Sequence, residues 1–390
     1  MKRTAIPFGS PLYVMLKPVG SRCNLACRYC YYLDKERHEE MSDEMLELFI
    51  RQYLEAQTQP EVLFTWHGGE PLLRPVSFYQ KALHLQQRYA RGRTVDNCLQ
   101  TNGTLLTPEW CQFLHDNRFL VGISIDGPQQ LHDAYRQSPR HQSTWQQVMH
   151  GIELLNRHDV MWNAMATVNH VTAGEPQRFY RFFRETGCQY LQFTPVVERI
   201  QGSVTDYSVS PGQWGRFLCG VYDEWITQDV GQVFVQLFDA TLANWVGEPP
   251  GLCSMSPRCG RCAAMESNGD VYSCDHFVFP EYRLGNIRTS TLTSMLYGER
   301  QQQFGRDKQE AISRQCRECA YLFACHGECP RNRFVSDVYG EPHHNYLCKG
   351  YQRFFSHVAN DMDIMKRELE AGRAPSNVML IRKKPPHSVH

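Results

Sequence analysis

The sequence predicts an α/β protein, a partial (β/α)6 TIM-type barrel or an open parallel sheet in the first half, followed by a cysteine-rich second half. Three observations predict it. Apolar, β-branched runs alternate with helix-like segments from Val14 to Val197, the pattern of a parallel sheet with helical crossovers. Polar, glycine-containing stretches follow those runs at their carboxyl ends, where β/α folds gather functional groups. Of the 16 cysteines, three fall at 23–30 and nine at 253–348.

The elements follow in chain order. Val14–Val19 is the first strand and runs into a cysteine loop. Asp43–Leu54 reads as an amphipathic helix with Ser42 as N-cap. Val62–Trp66 is the second strand and ends in His67-Gly68-Gly69-Glu70-Pro71. Phe78–Tyr89 is helical in pattern, and Val95–Gln100 is a strand ending in Thr101-Asn102-Gly103-Thr104. A helix starts at Thr107-Pro108, where proline suits the first turn. Leu120–Ile125 is the fourth strand and closes on Asp126-Gly127-Pro128. Thr144–Asn156 is a helix, and Trp162–Val168 and Tyr190–Val197 are strands five and six around a helix at Phe179–Thr186. Six such units fit an incomplete barrel or an open sheet.

Composition narrows the class. Lys plus Arg equal Asp plus Glu, 41 against 41, so no global field points to nucleic acid or an anionic membrane. No apolar run approaches a membrane span, and the N-terminus lacks the pattern of a signal peptide. A cytoplasmic location is expected. In that reducing compartment, clustered cysteines argue for metal centres rather than disulfides. The isolated Cys98, Cys111, Cys188 and Cys219 read as small core residues. Arg382-Lys383-Lys384 reads as a solvated tail.

The opening motif carries the chemistry. Cys23-Asn-Leu-Ala-Cys27-Arg-Tyr-Cys30 has the spacing Cys-x3-Cys-x2-Cys. Clustered thiolates hold zinc or iron–sulfur clusters, and three cysteines leave one iron of a [4Fe–4S] cubane open. The motif resembles the radical S-adenosylmethionine (SAM) superfamily, in which SAM chelates that iron. The resemblance implies further SAM contacts. Gly68, Gly69 and Glu70 look like the superfamily's Gly-Gly-Glu-Pro motif. Tyr29 resembles the aromatic residue near the adenine. Ser124 and Arg136 match contacts to the ribose and the carboxylate, and an arginine fork suits a carboxylate. Val197 matches an apolar contact, against which plain core packing competes. His67 stands where close relatives often have glutamine.

In the second half, Phe217–Trp225 reads as a helix and Gly247–Gly251 as a break. Cys253, Cys259 and Cys262 precede Asn268-Gly269-Asp270, a hairpin turn that delivers Cys274 and Asp275 on the return strand. Leu292–Tyr297 is a short helix, and Cys316, Cys319, Cys325, Cys329 and Cys348 follow. By spacing alone, paired Cys-x2-Cys steps also suit structural zinc. After a radical SAM motif, this array resembles the SPASM group with its two auxiliary [4Fe–4S] clusters. The resemblance assigns Cys253, Cys259, Cys274 and Cys329 to one cluster and Cys316, Cys319, Cys325 and Cys348 to the other. Cys262 is left over. The organisation expected is a radical SAM domain at 1–235, a SPASM domain at 236–365 and a tail at 366–390, which carries no readable motif.

The likeness extends further, through Leu99–Thr104, Leu191-Gln192-Phe193 and Tyr272-x-Cys274-Asp275. Together these stretches resemble anaerobic sulfatase-maturating enzymes. The resemblance implies oxidation of a cysteine or serine of a sulfatase, in a Cys/Ser-x-Pro-x-Arg context, to Cα-formylglycine. It implies three clusters and SAM as cofactors and an electron donor such as flavodoxin or ferredoxin. Asp275 matches the proposed base; a strand-end carboxylate or a group beside a cluster ligand is the plainer alternative. Other peptide chemistry, such as thioether crosslinking, would retain every cluster ligand. A non-catalytic metal scaffold would need neither the three-cysteine motif nor Gly-Gly-Glu-Pro.

Overall fold

The structure, a computed structural model, describes residues 12–32 and 40–383. Lys384 and the extreme N-terminus lie outside the described residues. The strands in chain order are β1 (Tyr13–Leu16), β2 (Glu61–Trp66), β3 (Thr94–Thr101), β4 (Leu120–Ser124), β5 (Trp162–Val168), β6 (Tyr190–Pro195), β7 (Arg199–Ile200), β8 (Ser203–Val204), β9 (Phe234–Val235), β10 (Cys262–Met265), β11 (Asp270–Tyr272) and β12 (Arg283–Asn286). The chain divides into two compact units that interleave in sequence. The first takes residues up to Ser124, then Tyr135–Trp162 and Arg258–Asp307. The second takes Ile125–Ala134, Asn163–Pro257 and Lys308 onward.

In the first unit β1, β2, β3 and β4 are parallel neighbours. The other edge of β1 pairs in parallel with β10, Leu16 opposite Met265, so the cysteine-rich half extends the same sheet. β10, β11 and β12 continue it as an antiparallel meander. One face of β2 carries Val62, Phe64 and Trp66, all buried. They meet aromatic side chains of the helices Asp43–Ala56 and Val76–Tyr89. Phe64 stands edge-on to Tyr53 at 4.9 Å, and Trp66 to Tyr79 at 5.3 Å. Burying these large rings against one another stabilises the layer, and truncating one such ring to alanine costs about 3–5 kcal/mol. Ser42 caps the first of these helices by accepting from the Met45 amide at 3.2 Å. Thr107 caps the helix Pro108–Asp116 in the same way.

In the second unit β5 pairs in parallel with β6, and β6 with β9. The helix Pro211–Gln228 packs on the long helix Cys348–Glu370. The two approach so closely that a Cβ on Gly350 would lie 2.4 Å from the Pro211 carbonyl oxygen. The expected tail is a turn at Pro375–Asn377 and a short helix, Val378–Lys383. Arg373 and Asn377 both bond Glu368 there.

The α/β class and the strand–helix alternation are as expected, with local differences at strand ends. β1 stops at Leu16 because Pro18 has no N–H to continue the ladder. β11 ends at Tyr272, so Cys274 and Asp275 leave the return strand and Asp275 opens a 3-10 turn. Among the described residues no helix is long and apolar enough to cross a membrane.

Candidate active site

The cysteine loop leaves β1 and is stitched down by its own backbone. Ala26 N–H donates to the Gln137 carbonyl and Arg28 N–H to the Tyr135 carbonyl, at 2.8 and 2.9 Å, and Cys30 N–H turns back onto Cys27. Asn24 donates to Thr104 Oγ1 at 2.8 Å and accepts from Asn102 Nδ2 at 2.9 Å. Two donors face the Cys23 sulfur: Leu25 N–H at 3.4 Å and Asn102 Nδ2 at 3.8 Å. The stretch after β3 therefore supports the cysteine loop. Burial pushes the Cys23 thiol up to about 12, with the other two cysteines adding to the rise. The three cysteines are half-buried. A soft thiol set with N–H donors to sulfur suits an iron–sulfur cluster.

The two glycines after β2 are required by backbone crowding. Gly68 has φ +118°, and a Cβ on Gly69 would lie 1.8 Å from the Arg22 carbonyl oxygen. Gly69 and Glu70 N–H groups donate to the Gly20 and Arg22 carbonyls, both at 2.8 Å. The Gly-Gly-Glu segment is thus laid against the entrance of the cysteine loop. Glu70 is fully buried. Its carboxylate accepts from Thr101 Oγ1 at 2.7 Å, Leu72 N–H at 2.9 Å and Asn102 N–H at 2.9 Å. Burial raises its carboxyl to about 7 against those three bonds. This side chain ties the ends of β2 and β3 together.

The other expected SAM contacts divide. The Arg136 guanidinium lies 5.5 Å from the Tyr29 ring centroid, and Tyr29 packs on Tyr135 at 6.1 Å. Ser124 Oγ accepts from Gln100 Nε2 at 3.0 Å. Tyr29, Gly68, Gly69, Glu70, Ser124 and Arg136 all belong to the first unit. Val197 belongs to the second, where it is buried.

Asp275 sits in a charged network that the sequence did not announce. Leu16 is opposite both Trp66 and Met265. The next residues, Lys17, His67 and Glu266, therefore stand side by side past the strand ends. Lys17 is fully buried and ion-pairs with Asp275 Oδ1. Its ammonium also lies 3.4 Å from the Tyr32 ring centroid. Tyr31 Oη donates to Asp275 Oδ2, and Tyr32 Oη donates to Glu266 Oε1. Burial alone would raise the Asp275 carboxyl; Lys17, with His67 and His276, outweighs it and holds the group well below the usual carboxylate range. Gly68 N–H donates to His67 Nδ1 at 2.8 Å, which puts the ring proton of the neutral imidazole on Nε2. The one available signal for Lys17 was a lone charge inside an apolar strand run. Tyr31 and Tyr32, next to Cys30, gave none.

In the second unit, Cys316, Cys319, Cys325 and Cys348 line one cavity with Tyr351 and Phe355. Tyr321 N–H points at the Cys319 sulfur at 3.4 Å, and His344 Nδ1 lies 3.6 Å from Cys316 Sγ. Four thiols around one largely apolar space fit a four-cysteine cluster. The other expected set divides in sequence: Cys259 and Cys274 belong to the first unit, Cys253 and Cys329 to the second. Cys262 begins β10, opposite Tyr13.

Comparisons with known proteins agree with this geometry. Residues 18–183 match the Radical SAM superfamily, and residues 253–320 match an iron-sulfur cluster-binding domain, SPASM. A serine-type anaerobic sulfatase-maturating enzyme of Bacteroides thetaiotaomicron is 56% identical, over 96% of each chain. The chain belongs to the anaerobic sulfatase-maturating enzymes. A cysteine-type member from Clostridium perfringens is 31% identical, over 89% of this chain and 96% of the relative. The solved structure of native anSMEcpe with bound AdoMet and the Kp18Cys peptide superposes with a TM-score of 0.86 at 30% identity, covering 92% of this chain and 100% of that one. The sulfatase-maturating family is thus a radical SAM oxidoreductase family with a SPASM domain, as expected from the cysteine pattern.

Proposed function

We propose that this chain oxidises a serine of a sulfatase polypeptide, in a Ser-x-Pro-x-Arg context, to Cα-formylglycine, with Asp275 as the base. The observation that carries the reading is the Lys17–Asp275–Tyr31 cluster, which joins the end of β1, the residue after Cys30 and the residue after Cys274. The serine preference follows the Bacteroides relative, a serine-type enzyme much closer in sequence than the cysteine-type one.

Cys23, Cys27 and Cys30 would hold the SAM-binding cluster. Cys253, Cys259, Cys274 and Cys329 would hold one auxiliary cluster, and Cys316, Cys319, Cys325 and Cys348 the other. Tyr29, Gly68, Gly69, Ser124, Arg136 and Val197 would contact SAM, and Glu70 would hold the Gly-Gly segment in place. Together these cofactors supply one-electron removal of a hydrogen atom from the target Cβ and an acceptor for a second electron. The chain's own residues manage the proton. Asp275, kept ionised by Lys17, takes the hydroxyl proton as the carbon–oxygen double bond forms. Tyr31 fixes the orientation of Oδ2. A sulfatase is the substrate partner, and a flavodoxin or ferredoxin would donate the first electron.

The test is anaerobic incubation of reconstituted protein with SAM, a strong reductant and paired peptides that differ only in serine or cysteine at the target. Mass spectrometry reads the aldehyde. Serine-peptide oxidation is expected, and Asp275→Asn should abolish it while SAM cleavage continues. Unchanged oxidation in that variant removes Asp275 as the base. Oxidation of the cysteine peptide alone removes the serine assignment.

A further inference from the structure

The helix Glu299–Glu310 is polar almost throughout, yet it buries one face made of Gln301, Gly305 and Lys308. A lysine on a buried face is rare without a partner charge. Lys308 is fully buried. Its ammonium donates to the Cys253 carbonyl at 2.5 Å and the Ser254 carbonyl at 2.9 Å. Among the described residues no carboxylate lies within ion-pairing distance of it. The buried carboxylate of Glu328 bonds Asn332 and Asn345, at 3.0 and 2.7 Å, and meets the Lys308 ammonium only through space. Carbonyl dipoles solvate an ammonium in part, but a full buried charge calls for an opposite charge nearby.

The backbone around Lys308 is built to keep it there. Arg333 Nη1 donates to the Lys308 and Ala311 carbonyls, at 2.6 and 3.1 Å. The rest of the same guanidinium holds the carbonyls of His326, Gly327 and Glu328 at 2.8–2.9 Å. Those three residues all have left-handed φ, at 48°, 70° and 55°, a conformation costly for His and Glu. Arg333 thus clamps a strained turn that begins after Cys325 and ends before Cys329. It fastens that turn to the end of the helix that carries Lys308.

A cubane on four thiolates carries net negative charge, and one charge more when reduced; local charge is among the terms that set its potential. We propose that Lys308 is the buried countercharge of the auxiliary cluster bound through Cys253 and that it stabilises that cluster's reduced form. The proposal rests on the assignment of a cluster to Cys253. It gives the ammonium a contact anion, where the protein itself offers only the Glu328 carboxylate beyond ion-pairing distance. It also explains why a cation, rather than a neutral donor, is buried against a cysteine backbone.

The experiment compares full-length wild type, Lys308→Met and Lys308→Arg after anaerobic reconstitution. Iron and sulfide are counted, and cluster potentials are read by EPR-monitored redox titration. The expected result is full iron in all three, a lower potential for one auxiliary cluster in Lys308→Met, unchanged signals for the other two, and recovery in Lys308→Arg. If Lys308→Met binds less iron, Lys308→Arg decides: full iron with a near-wild-type potential supports the countercharge. Full iron with unchanged potentials in Lys308→Met overturns it, and so does equal loss or equal shift in both variants. Wild type that binds roughly one cubane's worth of iron overturns the auxiliary-cluster assignment, and the countercharge with it.

Discussion

Replacing Lys17 with methionine tests the network around Asp275 most directly. Both partners are buried, Lys17 at 0% and Asp275 at 8% exposure. The substitution keeps an unbranched side chain, one atom shorter, and removes the ammonium. It leaves Asp275 buried with Tyr31 as its remaining strong donor. Removing one member of a buried pair costs about 3–5 kcal/mol, because the other charge stays in a medium that solvates it poorly. The lost ammonium–Tyr32 contact at 3.4 Å belongs within that range, since a desolvated cation–ring pair is worth about 2 kcal/mol. Taking both charges away should cost much less than the sum of the single changes. The assay is equilibrium urea denaturation of wild type, Lys17→Met, Asp275→Leu and the double variant. A coupling above about 2 kcal/mol is expected. A Lys17→Met protein within about 0.5 kcal/mol of wild type, or strictly additive single changes, would refute the argument that this pair is a buried and mutually dependent one.

Three further outcomes follow from the site. Gly69→Ala should prevent the cysteine loop from seating, because its Cβ would lie 1.8 Å from the Arg22 carbonyl oxygen; iron at the Cys23, Cys27 and Cys30 motif should drop while iron in the second half is kept, and normal occupancy at that motif would show that the loop can move aside. Cys348→Ser should remove roughly four irons, one cubane's worth, and leave SAM cleavage intact; an unchanged iron count would take Cys348 out of the cavity's ligand set. Glu70 gives a pH dependence of defined sign. Its carboxyl is raised to about 7 in the fold, against about 4.3 in an unfolded chain. Between those values the folded state binds more protons, so the contribution to stability is full below about pH 4 and is lost as pH rises through about 7. Once the intrinsic base-catalysed rate is divided out, hydrogen exchange at the ends of β2 and β3 should accelerate across that interval, and Glu70→Gln should remove that residual slope.

What could be read from the residues is mostly what local chemistry governs. The apolar run Val62–Trp66 made the β2 strand legible, whereas its buried face, Val62, Phe64 and Trp66, was decided by packing. Ser42 and Thr107 marked helix starts because their hydroxyls cap amides three residues on. The four cysteines that the resemblance assigned together line one cavity, although nothing in their spacing alone separates zinc from iron. Harder to read were features created by long-range pairing. Gly69 looked like a ligand-facing residue, yet its lack of a side chain is needed first by the Arg22 backbone, which is 47 positions away in the chain. Lys17 and Lys308 read as ordinary lysines in isolation, since burial is a property of the packed chain.

By itself the sequence determined the repeat, the turns, the thiol-rich motifs and hence the family of chemistry, because periodicity, capping and metal-ligand spacing act over a few residues. Tertiary structure alone decided which charges meet. The parallel pairing of β1 with β10, 249 residues apart at Tyr13 and Cys262, sets Lys17 beside the chain that carries Asp275. No local rule relates those two positions. Their ion pair exists because the sheet brings both into a largely buried space, where each charge is stabilised by the other.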